Sequence, residues 1–418
     1  MKAKLTNKNT IFYAAVLIFA TFFLFVGNRV VSGDVGDELL PNEANFYQAV
    51  ITEITDDVTE EFFGGFYDRN IFFTARITRG DRRGEYVQAV QNIDDRYGLV
   101  ERVVTQGDRV ILVSFGWENE WVYEYDSAEY NFAEFVRTNY IIILGALFVV
   151  AMLIFAKKRG FNAIIALAFT CLAIFTVFIP AIIYGHNIYL ATIIVCVYAV
   201  FVTLALVVGP NKKALSAALG CLGGVSFAAI LMVLMDSIMQ LTGLIDSDTM
   251  HLLLLPTENP INLRAIVFAG VILGVVGAIM DVSMSISSSL WELREAGEKS
   301  EFGGLFKSGL NIGRDILGTM LNTLILAYIG SSISLILMIY VFSASPLVLF
   351  NTELIVVEFL RALVGSFGML LTIPLTAAVC GWLYSLPEKA KPQTKLSAYE
   401  QELSELGENG GNGGSGNG

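Results

Sequence analysis

Eight runs of mostly apolar residues set the plan of the chain, at about 10–29, 138–156, 162–184, 188–208, 214–241, 264–286, 314–342 and 355–385. Each is close to the roughly 20 residues that an α-helix needs to cross a hydrocarbon layer. Between the first and second runs the pattern changes. Segments 47–55, 71–78, 85–90 and 110–115 are rich in β-branched and aromatic side chains. Turn-forming Gly80-Asp81 and Gly107-Asp108 lie between them, and 79–84 reads as a hairpin loop. The expectation is an α-helical polytopic membrane protein with about eight transmembrane helices and an inserted small all-β extracytoplasmic domain, OB-like in architecture.

The domains follow from the same pattern. Residues 1–31 form an N-terminal transmembrane anchor, 32–137 the outer β-domain, 138–386 a seven-helix membrane domain and 387–418 a cytoplasmic tail. The first run has a second reading as a signal peptide, with a basic start, an apolar stretch over 11–26 and a small residue at Ser32. That stretch is longer than a usual signal core and lacks an Ala-x-Ala end. In the tail, 396–406 reads as a short acidic helix, and the Gly/Asn/Ser-rich 408–418 reads as disordered.

Loop charges orient the runs. Lys2, Lys4 and Lys8 precede the first run, and Lys157, Lys158 and Arg159 follow the second. Lys212 and Lys213 follow the fourth, Lys299 and Lys307 the sixth, and Lys389, Lys391 and Lys395 the eighth. The intervening loops 185–187, 245–262 and 343–353 hold no Lys or Arg. By the positive-inside rule both termini are cytoplasmic and 32–137 lies outside a bacterial plasma membrane.

Composition fits this plan: 55% of residues are hydrophobic, 16% are charged, and mean hydropathy is +0.62. The bilayer is therefore the first partner. Charge is segregated, because 32–137 holds 22 Asp and Glu against nine Arg and no Lys, a net of −13, while the remainder sums to +1. Such a surface keeps a domain soluble, gathers cations or repels anions, and argues against nucleic acid. It has no EF-hand spacing.

Cys171, Cys196, Cys221 and Cys380 all lie in apolar runs, and His186 and His251 sit in different loops, so no zinc spacing or disulfide framework is present. No phosphate-binding loop precedes a helix. The sequence therefore calls for no cofactor, metal or ATP-hydrolysing site.

Polar residues within the apolar runs are the candidate site. An ionisable group near the bilayer centre costs roughly 2.5–3.5 kcal/mol on insertion scales, so it persists where it meets partners or water. On the sixth run Gly270, Gly274, Gly277, Asp281, Ser285 and Ser288 recur every three or four residues, forming one stripe against which another helix is expected to press. On the seventh, Asn311, Asp315, Gly318, Thr319 and Asn322 form a second stripe, beside Arg314. The eighth adds Glu358, Arg361, Gly365, Gly368 and Thr372, with Pro374 able to break the helix.

Depth sorts these into an inner set of Asp281, Asn311, Arg314, Asp315 and Asn322, and an outer set of Asp236, Arg264, Glu358 and Arg361. Asp281 lies about 25 Å along the helix from Arg264 at 1.5 Å per residue. Asp281, Arg314 and Asp315 are expected to interact. The competing reading is structural: charges pairing or snorkelling near helix ends, and glycines serving only packing.

The blocks GAIMDVSMSISSSLWEL (277–293), NIGRDILGTMLNTLILAYIGSSI (311–333) and NTELIVVEFLRALVGSFGMLLTIPLTA (351–377) resemble, in this order, the YibE/F family of bacterial multi-pass membrane proteins. The resemblance covers roughly 135–385, and the anchor with its outer domain resembles the longer members, typical of Gram-positive bacteria. It implies a membrane core and a role usually described as transport.

The functional expectation is a non-enzymatic permease or exporter of a small polar solute or ion, with its pathway in the fifth to eighth runs. An anionic solute would contact Arg314, and Asp281 or Asp315 would carry a coupling proton. The alternative is a membrane scaffold or envelope-stress component that binds a partner through the outer domain. Self-association or a membrane partner protein is open on either reading. An intramembrane protease is weakest: Asp281 with Asp315 is the one nominal acid pair, and NIGRD does not resemble the aspartyl protease motifs.

Overall fold

A computed structural model describes residues 2–32, 45–62, 66–94, 102–114, 129–245, 247–253, 260–297, 301–342 and 345–386. The acidic helix and disordered tail expected within 387–418 lie outside the described residues. The chain forms two compact units, Gly33–Ile164 and a helical unit of Met1–Ser32 with Ile165–Gly418.

The first unit contains a closed barrel of β1 (Asn45–Phe62), β2 (Phe66–Arg79), β3 (Tyr86–Asp94), β4 (Arg109–Ser114) and β5 (Tyr130–Phe135), in the order β1-β2-β3-β5-β4. Alternation builds its core: Ile71, Phe73, Ala75 and Ile77 of β2 point inward, with Ala49, Ile51, Val110 and Leu112 from the flanking strands. The expected hairpin closes through Gly84 N–H donating to Ile77 O at 2.9 Å, with Gly80 and Gly84 at φ +106° and +97°.

Two features depart from the sequence reading. β1 runs on through Asp56, Asp57, Glu60 and Glu61, because pairing with β2 overrides their poor strand propensity. There Arg69 grips Asp57 with two bonds of 2.8 and 2.6 Å, and the hydrogen bond holds that carboxyl below its ordinary value. β5 was not expected at all. It closes the barrel by running parallel to β3 and antiparallel to β4.

α2 (Thr138–Ala173) continues through a π-turn (Ile174–Phe178) into α3 (Ile179–Ile183), giving 46 residues of helix that are non-helical at Lys157 (φ 48°, ψ −126°). A straight helix of this length would measure about 69 Å. Instead the helix kinks at Lys157, and just beyond it a Cβ on Gly160 would lie 2.5 Å from Met152 O and 2.9 Å from Ala156 Cβ. The second and third expected runs are thus two arms meeting at this kink.

In the helical unit, α1 (Lys2–Ser32) packs on α4 (Ile188–Val207), with Phe23 stacked on Tyr198 at 4.2 Å between centroids. α5 (Lys212–Met239), the short α6 (Ser247–Leu253), α7 (Leu263–Glu295), α8 (Phe302–Ser331), α9 (Ile333–Phe342), α10 (Pro346–Leu349) and α11 (Glu353–Ser385) follow. α11 is the hub, packed by α5, α7 and α8. Among the described residues seven helices are long and apolar enough to cross a membrane, the kinked one included.

Three boundaries differ from expectation. α7 extends to Glu295 and α8 begins at Phe302, so Asn311 and Arg314 stand well inside a helix rather than at a loop's edge. The seventh run is interrupted at Ser332, between α8 and α9. Pro374 does not break α11, which is helical on both sides of it.

Candidate functional site

The outer set divides. Arg361 Nη1 donates to Glu358 Oε1 at 2.8 Å, one turn apart on α11, with side chains 26% and 19% exposed. Asp236, near the end of α5, and Arg264, at the start of α7, form no ion pair with them among the described residues. The sequence reading missed Tyr328 of α8, whose hydroxyl faces Gly274 one turn along α7 from the Gly270 that faces Arg361.

Tyr328 OH, Glu358 Oε2 and Arg361 Nε are buried with no hydrogen-bond partner among the described residues. A buried polar atom left unpaired costs about 1–3 kcal/mol. Three such atoms beside one ion pair make this the polar niche of the helical unit.

The niche has a glycine wall. A Cβ on Gly274 would lie 3.4 Å from Tyr328 OH, and one on Gly270 would lie 3.9 Å from Arg361 Nη2. The stripe then continues along α7 to Gly277, where a Cβ would meet nothing within 4 Å, and to Asp281. Gly270, Gly274, Gly277 and Asp281 are all exposed, and Ser285 is half-buried. From Gly270 to Asp281 is about 16 Å at 1.5 Å per residue. An exposed face of α7 made of small residues therefore runs from beside the Arg361–Glu358 pair to Asp281.

Side chains of neighbouring helices reach this stripe at Gly270, from α11, and at Gly274, from α8, whereas Gly277 meets nothing within 4 Å. Gly318 on α8 is also open. The glycines that do pack face the hub. On α11 itself, Gly365 meets Val275 and Leu324 and Gly368 meets Ile279 and Ala228. The unexpected ones are Gly220, Gly223 and Gly224 of α5 and Gly309 and Gly313 of α8, which meet Thr376, Leu375, Thr372, Ala377 and Ile373 of α11.

On α8, Asn311, Arg314, Asp315, Gly318, Thr319 and Asn322 are exposed, on the side away from Leu305, Gly309 and Gly313. Among the described residues no ion pair within 4.0 Å involves Asp281, Arg314 or Asp315; the one in the helical unit is Arg361–Glu358. The expected coupling of these three is thus not a direct salt bridge within one chain. The Thr319 hydroxyl donates a hydrogen bond to Ile316 O at 2.9 Å.

A second polar cluster, also missed, lies at the far end of α7. Ser216, Ser287 and Tyr384 are mutually bonded at 2.7–2.8 Å and are almost wholly buried. Ser287 also donates to Lys213 O. With its hydrogen bonds satisfied, the triad fastens α5, α7 and α11 together. Its one sequence signal is Ser287, which lies beside the exposed stripe but a residue out of phase with it. Among the described residues no group of three His, Cys, Asp or Glu is placed to hold a metal.

Long apolar helices around a hub and a small acidic five-stranded barrel make up a mainly helical protein, and the apolar helices support a membrane setting. The chain belongs to the YibE/F family: the family model described as YibE/F-like protein matches residues 144–386. No curated protein and no solved structure matches it.

Proposed function

We propose that this chain is a permease or exporter of a small polar solute or ion, non-enzymatic, whose path follows the glycine stripe of α7 between the Arg361–Glu358 pair and Asp281. The observation that carries this reading is this face of α7. It runs along exposed small residues between two sets of charged side chains and is open midway, at Gly277, where a Cβ would meet nothing within 4 Å. Family membership and the apolar helices support the membrane setting.

In this reading both termini are cytoplasmic and the barrel, OB-like in its five-stranded closure, stands outside. Arg361, Glu358 and Tyr328 form the outer end, where the unpaired polar atoms receive the solute. Asp281 holds the inner end, and Arg314, Asp315, Thr319 and Asn322 line water beside it. Charges exposed at this depth are tenable only against water or another protein surface, so a second copy or a membrane partner closes this face from lipid.

Cysteine accessibility tests the path. In a background freed of Cys171, Cys196, Cys221 and Cys380, Gly277→Cys and Asp281→Cys are treated in membranes with a charged thiosulfonate that reacts only in water. Both should label, and labelling of Gly277→Cys should block flux of whichever trace-labelled ion or metabolite the wild type moves in reconstituted vesicles. Failure of both positions to react would leave the intramembrane charges as structural glue and favour the scaffold reading.

A further inference from the structure

The barrel is strongly acidic, yet its outer wall carries a basic pocket. The pocket, of about 270 Å³, is lined by Gln48, Val50, Arg76, Thr78, Arg109 and Asn139, among others. Its geometry follows from register: Val50 of β1 pairs with Arg76 on β2 and with Arg109 on β4. The two arginines therefore flank Val50, about 10 Å apart at two strand spacings. Ala49, Ala75, Ile77 and Val110, their chain neighbours, point into the core, so both guanidinium groups project outward and can converge.

Arg69, Arg82, Arg102 and Arg137 of the same unit are each matched to a carboxylate. Among the described residues Arg76 and Arg109 have no carboxylate within 4.0 Å. The Thr78 hydroxyl is committed to Gln48 O at 3.0 Å, which leaves the two guanidinium groups and the Gln48 and Asn139 amides as donors. Donors of this kind, with no acid among the lining residues, suit a tetrahedral oxyanion, because the planar guanidinium fork matches phosphate oxygens.

The position of the pocket narrows the source. Asn139 lies in the first turn of α2, and the residues after it, from Tyr140 to Phe155, form an apolar helix with Ile141, Ile142, Ile143 and Leu144 all over 60% exposed. The barrel pocket and the start of this helix belong to one unit. We propose that the Arg76–Arg109 pocket binds a phosphate group, presented by the headgroup of an anionic phospholipid where α2 enters the bilayer. The lipid source rests on the membrane reading; the phosphate chemistry does not, and neither rests on transport.

The test uses the full chain in detergent, with binding read by native mass spectrometry and thermophoresis. The probes are dioctanoyl-phosphatidylglycerol, dioctanoyl-phosphatidylcholine and inorganic phosphate at constant ionic strength. The phosphatidylglycerol should bind at least tenfold more tightly than the phosphatidylcholine. The R76Q/R109Q variant should lose that preference, and R76K/R109K should keep part of it. Arg79→Gln, on the hairpin outside the pocket, should behave as wild type.

Circular dichroism confirms that each variant is folded. Inorganic phosphate binding that is equally sensitive to R76Q/R109Q, without a phosphatidylglycerol preference, would support the site and move its source to the free anion. Equal binding of both lipids, or a folded R76Q/R109Q variant that binds phosphatidylglycerol and phosphate as wild type does, would overturn the proposal.

Discussion

Tyr328 shows how one side chain changes the meaning of its neighbours. Glu358 and Arg361 alone are an ordinary pair one helical turn apart, worth little where water reaches it. The unpaired phenol beside them, facing the Gly274 backbone, converts the pair into the rim of a niche. This yields a prediction in which stability and function part. Tyr328→Phe removes a buried hydroxyl with no partner, so the variant should be as stable as wild type or more so, by up to about 1–3 kcal/mol, while losing flux. Thermal unfolding in detergent alongside vesicle flux checks it. A marked loss of stability would mean that the hydroxyl has a structural partner. Arg314 is the opposite case. Its identity and its place on a polar stripe were plain from sequence, yet the side chain stands exposed, away from the niche.

At the scale of elements, helical spacing tells which glycines share a face but not which face meets a neighbour. α11 decides that by occupying the centre, so the glycines turned toward it are the ones under contact. A Cβ on Gly220 would lie 2.8 Å from Thr376 Cβ and 2.9 Å from Thr376 Cα. Gly220→Ala and Gly224→Ala should therefore force α5 off α11 and cost about 1–3 kcal/mol, as overpacking does. Gly277→Ala and Gly318→Ala meet open space and gain helix propensity, and should be neutral or stabilising by up to about 1 kcal/mol. Thermal unfolding midpoints of the four variants decide it, and destabilisation at Gly277 equal to that at Gly220 would show the α7 face to be closed. β5 illustrates the same limit in the barrel, since its strand character comes from partners on β3 and β4 rather than from its own six residues.

For the whole molecule, the charge plan makes a claim about sidedness that packing does not supply. Asp81 lies on the hairpin between β2 and β3, and Gly303 opens α8 with nothing within 4 Å of a Cβ there. In intact cells an impermeant thiol reagent should label Asp81→Cys and leave Gly303→Cys unreacted until the membrane is opened. The reverse pattern would invert the molecule and exchange the inner and outer ends of the path. The kink at Lys157, with its basic neighbours Lys158 and Arg159, should then lie on the same side as Gly303.

The sequence by itself determined the long apolar helices, the acidic β-domain ahead of them and the blocks that carry family membership, because run length, alternation and net charge are local properties. It also named the residues whose burial in lipid would be costly. Tertiary structure alone decided that Gly277 and Gly318 face open space while Gly220 and Gly313 are in contact, and that Tyr328 joins Glu358 and Arg361. It likewise decided that Arg76 and Arg109 share a pocket across β1. Each of these depends on which surfaces meet, and periodicity fixes the composition of a surface without fixing what lies opposite.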